Sequence, residues 1–451
     1  MANPVHIVGG GLAGTECAFQ LAQRKVPVVL WEMRPEKSTP AHKTGNLAEL
    51  VCSNSLRSDD PEHAAGLLKR EMERFDSLVI SAARKAAVPA GSALAVDRDQ
   101  FAESITSALE SSTQIEIRRT EATEIPPGEV VLATGPLTSE ALSIQLATLL
   151  GESSLYFYDS IAPIVDGNSL DMSELYWASR YGKGGDDYLN IPLDRDRYLD
   201  FHQSVIDAEV VPLREFEESL FFEGCLPIEE MARRGIDTLR FGPMKPVGLE
   251  RPDGSRPYAV IQLRRESLAK DHLNMVGFQT RMTWPEQQRI FRRLPGFSQA
   301  KFERLGQVHR NTFINAPRHL DKCYRLENRP QVRLAGQITG VEGYLESAAT
   351  GLAVALYIVL ERSNKLSDPL PSTTALGALA RHLTESDPNR FQPANINYGL
   401  FEELGLKLPK RRRREAYVER AWTDLETWAT RHGLSLETLE CSSLSTAISS
   451  I

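Results

Sequence analysis

Cysteine is scarce in this chain. Five residues, Cys17, Cys52, Cys225, Cys323 and Cys441, are scattered over 451 positions and odd in number. No two stand in a C-x-x-C spacing, so neither a zinc site nor a disulfide framework is expected, and no metal ligands are assigned. Reduced thiols fit a cytoplasmic protein and stay available as nucleophiles. Long apolar runs are also missing. The longest in the C-terminal half, residues 351–360, falls short of the roughly 18 residues that suggest a membrane span. No basic segment precedes the first apolar stretch, so no signal peptide is expected. An excess of positive charge is absent too. The net charge of −8 excludes a uniformly basic nucleic-acid binder.

The charge that is present is uneven. Residues 281–310 carry Arg281, Arg289, Arg292, Arg293, Lys301, Arg304 and Arg310 against only Glu286 and Glu303. Lys410 to Arg414 is a second, wholly basic run. Such patches on an acidic protein suit a polyanionic partner. The length, 451 residues, is too great for one core and suggests about two to three domains.

Pattern along the chain supports an α/β fold. Val5–Val8 reads as a buried strand, Leu12 to about Gln23 as a helix and residues 28–32 as the next strand, a βαβ start. Residues 66–84 read as one helix with Leu68, Met72, Phe75 and Val79 on one face. Residues 129–133 and 332–335 read as further buried strands, and residues 344–360 as a long helix. From residue 151 to about 295 turns and aromatics become denser. The expected organisation is therefore a first part of a Rossmann-like domain (1–150), an inserted α+β domain (151–295), a closing part (296–362), and a linker with a charged helical tail (363–451).

The strongest local signal is Gly9-Gly10-Gly11-Leu12-Ala13-Gly14. It follows a strand, opens a helix, and has Glu32 at the end of the next strand. Gly9 permits the tight turn, Gly11 lets backbone approach a pyrophosphate, and Gly14 allows helix and strand to pack closely. The helix start offers amides and a positive dipole end to phosphates. Glu32 can accept from ribose hydroxyls. A glycine turn can serve packing alone, but strand, helix and acid together favour a dinucleotide. Ala133-Thr134-Gly135 and the segment from Gly336 to Gly343 look like the returning and closing segments of two-part flavoproteins, which favours FAD. Gln337 departs from that pattern, where many flavoproteins carry Asp. Tyr344 starts a helix aimed at the cofactor.

With these segments in view, the sequence resembles the bacterial folate- and FAD-dependent tRNA (uracil-5-)-methyltransferases. The resemblance rests on Glu32-Met33-Arg34-Pro35, Thr39-Pro40-Ala41-His42, Cys52-Ser53-Asn54-Ser55, Ala133 to Ser139, Phe241-Gly242-Pro243-Met244-Lys245-Pro246, His309-Arg310-Asn311-Thr312, and Gly340 to Gly351 with Tyr344 and Leu345. It implies a two-part FAD-binding domain with an inserted domain, Arg34 and Leu345 included in the cofactor site. It further implies methylation of uridine C5 at uridine-54 of the tRNA T-loop. The carbon would come from 5,10-methylenetetrahydrofolate and the electrons from NAD(P)H through FAD.

That chemistry needs a thiol. Uracil C5 is a poor nucleophile until a thiolate adds at C6. By the resemblance, Cys225 in Glu223-Gly224-Cys225-Leu226-Pro227 is the C6 nucleophile and Cys52 a second working thiol, with the two roles exchangeable. His309 would stack on the pterin. Lys245, Arg281 and Arg310 would hold folate carboxylates or RNA phosphates, and Lys410 and Arg411 the tRNA backbone. The motifs leave open a uridine of 23S ribosomal RNA as target, a flavin-binding RNA chaperone or redox sensor, and a plain NAD(P)H oxidase. They also leave open the oligomeric state.

Overall fold

Val5, Ile7 and Leu30 have no exposure to solvent, as expected of parallel strands covered by helices on both faces. In the computed structural model, which describes residues 3–39, 41–151, 155–182, 185–212, 226–266, 271–405 and 408–437, they lie at the centre of a six-stranded sheet. Its order is β16 (Arg325–Leu326), β17 (Arg329–Leu334), β7 (Val130–Leu132), β1 (Val5–Val8), β2 (Val28–Trp31) and β6 (Ile115–Arg118). Every neighbouring pair is parallel except the β16–β17 hairpin. The chain therefore leaves this unit after β7 and returns to it to add β17. A small antiparallel sheet of β3 (Ser55–Ser58), β5 (Ala93–Val96) and β4 (Ala87–Val88) adjoins it.

The excursion builds a second, antiparallel sheet. Its order is β10 (Tyr176–Trp177), β11 (Tyr188–Leu193), β12 (Ala259–Arg265), β13 (His272–Met275), β9 (Ile164–Asp166) and β14 (Phe302–Arg304). Leu189, Ile191, Ile261, Leu263, Met275, Phe278 and Phe291 give it a core of its own. A two-stranded ribbon, β8 (Leu155–Ile161) with β15 (Gln307–Phe313), joins the two units. The expected boundary at 295 falls inside this sheet's span, because the short, charged β14 carries no apolar signal.

Two local expectations change. The single helix over 66–84 is two helices, Ala64–Arg74 and Leu78–Lys85. Asp76 adopts φ 56° between them, and the Ser77 hydroxyl caps the second by accepting from the Ile80 amide. The buried face of Leu68, Met72 and Val79 runs straight across the break, so apolar spacing could not reveal it. The stretch 363–374 is anchored rather than loose. Leu370 is buried, and its amide donates to the Tyr357 hydroxyl at 3.0 Å. Thr374 caps the helix Ala375–Glu385, whose Leu376, Leu379 and Leu383 enter the main core.

The closing helix Tyr344–Arg362 packs on Leu12–Gln23 so tightly that a Cβ on Gly351 would come within 2.1 Å of the Ala13 carbonyl oxygen. By length and composition it could cross a membrane, but 78% of its apolar window is buried inside the protein. It is a core helix.

Glu71, fully buried, accepts from the Ala375 and Leu376 amides at 2.7 and 2.9 Å and so holds the start of the helix Ala375–Glu385. Glu71→Ala leaves two buried amides without acceptors and is expected to cost about 2–3 kcal/mol in chemical denaturation. Burial pushes the Glu71 carboxyl up to about 8 from 4.5. The folded state therefore holds a proton that the unfolded chain releases. This contribution is complete below about pH 4.5 and lost as pH rises through about 8. The stability gap between wild type and Glu71→Ala should narrow between those limits, and a gap that widens would contradict it.

Candidate active site

Four strand ends meet at one cleft. Gly9 follows β1, Glu32 follows β2, Ala133 follows β7, and Ala335-Gly336 follows β17. Ligands in open α/β sheets bind at such carboxyl ends. The cleft has a cavity volume of about 160 Å³ and is lined by Gly9, Gly10, Gly11, Leu12, Ala13, Glu32, Arg34, Ala133, Thr134, Gly135, Gly336, Gln337 and Tyr344, among others. The sequence motifs are thereby assembled in one place.

The three fingerprint glycines do different work. Gly9 adopts φ +113°, and a Cβ there would lie 2.3 Å from the Ala133 carbonyl oxygen. A Cβ on Gly14 would lie 1.9 Å from the Gly9 carbonyl oxygen. Both positions are closed by backbone. Gly11, in contrast, has nothing within 4 Å of its missing Cβ and lines the cleft. The helix that starts there has no side-chain cap, so its first amides lack an intrahelical partner and suit a phosphate. The cradle fits a dinucleotide pyrophosphate.

Glu32 is held tightly. Its Oε1 accepts from the Arg34 amide at 3.0 Å and Arg34 Nε at 2.9 Å. Its Oε2 accepts from the Gly10 amide at 2.9 Å and Arg34 Nη2 at 3.1 Å. Arg34, only 2% exposed, also donates to Glu49 Oε2 at 3.1 Å. Burial pushes the Glu32 carboxyl up, but the Arg34 fork and the amides outweigh it and hold it below its ordinary value. Four protein donors thus already use the oxygens that were expected to meet ribose hydroxyls. Arg34 acts on Glu32 first. Gln337 Nε2 donates to Glu342 Oε2 at 2.6 Å, so the residue in place of Asp has its own partner.

Not every expected cofactor residue faces the cleft. Gly14 lies beneath the turn. Leu345 has no exposure and belongs to the core. Gly343 precedes the closing helix at φ +108°, where a Cβ would be 2.4 Å from Glu346 Oε2. Thr39, His42, Thr120, Glu121 and Ser139 also line the cleft. Thr39 and His42, whose Oγ1 and Nδ1 lie 2.6 Å apart, stand in a motif quoted for the resemblance. Thr120 and Glu121 follow β6 and carry no motif.

The half-buried Cys52 adjoins the cleft through its neighbour Val51. Its amide donates to the Tyr344 hydroxyl at 2.6 Å. Its carbonyl accepts from Arg98 Nη2 at 2.8 Å and from Arg304 Nη2 at 3.0 Å. Burial pushes the Tyr344 phenol up, so it stays protonated at neutral pH.

Cys225 lies outside the described residues. Leu226 after it is buried and leads into the helix Ile228–Arg233. His309 and Arg310 stand on β15, with their side chains outside the described residues. Lys410 and Arg411 begin the helix Lys410–His432, with the same limit. Lys245 is exposed on the second unit. Arg281 is engaged within that unit, with Nη2 2.5 Å from Glu230 Oε1.

Fold and cleft define a two-part, FAD-type dinucleotide-binding protein carrying an inserted antiparallel domain. Residues 4–366 match the family model described as glucose inhibited division protein A, GIDA. The methylenetetrahydrofolate--tRNA-(uracil-5-)-methyltransferase TrmFO of Natranaerobius thermophilus is 52% identical over 94% of this chain and 99% of its own. The protein of the same name from Geobacter sulfurreducens is 53% identical over 95% of this chain and 99% of its own. The chain belongs to the GidA family and, within it, to the family of these TrmFO proteins. The Aquifex aeolicus GidA structure in its form II crystal has the same fold, with a TM-score of 0.68 at 16% identity, over 96% of this chain and 74% of that one.

The glycine geometry separates folding from ligand binding. Gly14→Ala is expected to abolish soluble folded protein. Gly11→Ala should keep the circular dichroism spectrum and melting curve but lower bound FAD by about tenfold or more. Equal FAD occupancy in Gly11→Ala and wild type would contradict the assignment of Gly11 to the pyrophosphate.

Proposed function

We propose that this chain methylates uridine C5 in tRNA, at uridine-54 of the T-loop. The one-carbon unit comes from 5,10-methylenetetrahydrofolate, with FAD as cofactor and NAD(P)H as reductant. The single observation that carries this reading is identity above 50% to TrmFO proteins over nearly the whole chain, with the three dinucleotide segments meeting at one cleft beside Cys52. The cytoplasm, where tRNA and reduced folate meet, is the proposed location.

Bound FAD, once reduced, supplies the electron pair that converts the transferred carbon to a methyl group. The protein does the rest. Gly9 to Ala13 hold the pyrophosphate through backbone amides. Ionised Glu32, braced by Arg34, marks the ribose end. Cys225 adds to uracil C6, so that C5 becomes the nucleophile. Cys52, at the cleft edge, serves as the second thiol and receives the C5 proton, the exchange of the two roles being an outcome of the test. Tyr344, protonated and bonded to the Cys52 amide, fixes that thiol's place. His309 stacks on the pterin. Lys245, Arg310, Lys410 and Arg411 are the proposed contacts for folate carboxylates and RNA phosphates. Arg281 joins them only where its bond to Glu230 yields. The target base must leave its stack, since addition at C6 and attack from C5 need its faces exposed.

The test combines purified protein, undermodified tRNA, labelled methylenetetrahydrofolate and NADPH, with 23S ribosomal RNA in parallel. Label is expected in 5-methyluridine at tRNA position 54. Cys225→Ala and Cys52→Ala should each lower methylation by about a thousandfold while the protein stays yellow. Label only in ribosomal RNA would overturn the target. Unchanged methylation in Cys225→Ala would overturn the nucleophile.

A further inference from the structure

The seam between the two units runs through the Cys52 loop, and the charges there do not balance. Arg98 starts the helix Arg98–Glu110 of the first unit, and Arg304 ends β14 of the second. Arg98 donates to the Leu50 and Cys52 carbonyls, each at 2.8 Å. Arg304 donates to the Val51 and Cys52 carbonyls at 2.9 and 3.0 Å. Two guanidinium groups from different units therefore converge on one peptide. Asn54 adds to the seam, with Nδ2 donating to the Val96 carbonyl on one side and the Arg265 carbonyl on the other, at 2.9 and 3.1 Å. Its Oδ1 accepts from Arg264 Nε at 3.1 Å.

Among the described residues, one carboxylate stands in this cluster. Glu266, 5% exposed, lies 2.5 Å from Arg98 Nε. Arg98, Arg264 and Arg304 all feel its charge, and Arg98 and Arg304 also feel Cys52. Among the described residues, Glu266 is the carboxylate paired with these three arginines, through Arg98, in a seam where Arg264 is only 6% exposed. Buried charge without a counter-charge is costly. The other titratable neighbours are Tyr344 and, beside Arg264, Tyr188, and burial keeps both phenols protonated. The group that can supply a negative charge here is the Cys52 sulfur.

We propose that Arg98 and Arg304 are positioning residues that fix the Cys52 loop across the seam and hold its sulfur as a thiolate, with Glu266 orienting Arg98. This rests on the reading of Cys52 as a working thiol. It adds that the second unit, through Arg304, sets that thiol's ionisation, so the thiolate exists only when the units are docked. No such role follows from the glycine or cysteine motifs.

The test is the pH dependence of Cys52 alkylation by iodoacetamide in the FAD-loaded enzyme, read peptide by peptide by mass spectrometry. The thiolate attacks the iodomethyl carbon and iodide leaves, so the rate follows the ionised fraction. In wild type the rate should already be on its plateau at neutral pH, well below the midpoint near 8.5 of an ordinary cysteine. Arg304→Gln should lower the rate at pH 7 about tenfold and move the curve to higher pH. Arg304→Lys keeps the charge and should leave the curve near wild type while methyl transfer falls. Flavin content and melting curves report on folding. If Arg304→Gln does not fold, the wild-type curve alone decides. A wild-type profile of an ordinary thiol, or an Arg304→Gln profile that matches wild type, overturns the proposal. Full methylation by Cys52→Ala overturns the reading of Cys52 as a working thiol, while the alkylation profile still judges the arginines.

Discussion

The structure depends on one close approach of backbone to backbone. A Cβ at Gly14 would sit 1.9 Å from the Gly9 carbonyl oxygen, so the first helix can lie against the first strand only without a side chain there. That contact sets the direction of Leu12–Gln23 and turns its uncapped start toward the ends of four strands. The closing helix repeats the device, with Gly351 against the Ala13 carbonyl. The two halves of the dinucleotide unit, separated in sequence by the whole second sheet, meet at this Gly351 contact.

Around that lock the charged residues divide into two kinds. Glu32 and Arg34 are a closed pair whose hydrogen bonds are satisfied by protein. Such a pair defines shape. The seam at Cys52 is open in charge, with arginines from both units directed at a single loop. Buried ion pairs often contribute little net stability, so an unbalanced cluster at a domain junction reads as function. The role proposed for it is to couple the position of the second unit to the chemistry at Cys52.

How much of this was legible in the sequence follows from which interactions leave a local trace. The turn from Gly9 to Gly14 was legible because each glycine answers a separate steric demand. The strand Val5–Val8 before it and the helix from Leu12 to about Gln23 after it were legible as well. The break at Asp76 was not, because the apolar face continues through it. β14 was not, because three residues held by one edge pairing carry no periodicity. Arg304 was visible only as part of a basic stretch, and Arg98 carried no sequence signal. Their bonds to Cys52 join residues far apart in sequence, and side-chain to carbonyl bonds of that kind have no pattern. Thr120 and Glu121 enter the cleft only because β6 ends there.

The central claim is that the glycine cradle binds FAD with its flavin end directed toward the seam at Cys52. A crystal structure of the FAD-loaded protein tests it most directly. The pyrophosphate should lie over Gly11, within hydrogen-bond distance of the first amides of Leu12–Gln23, and the flavin ring should lie against Tyr344 and the Cys52 loop. A pyrophosphate bound elsewhere, or a flavin ring pointing away from Cys52, would contradict the account.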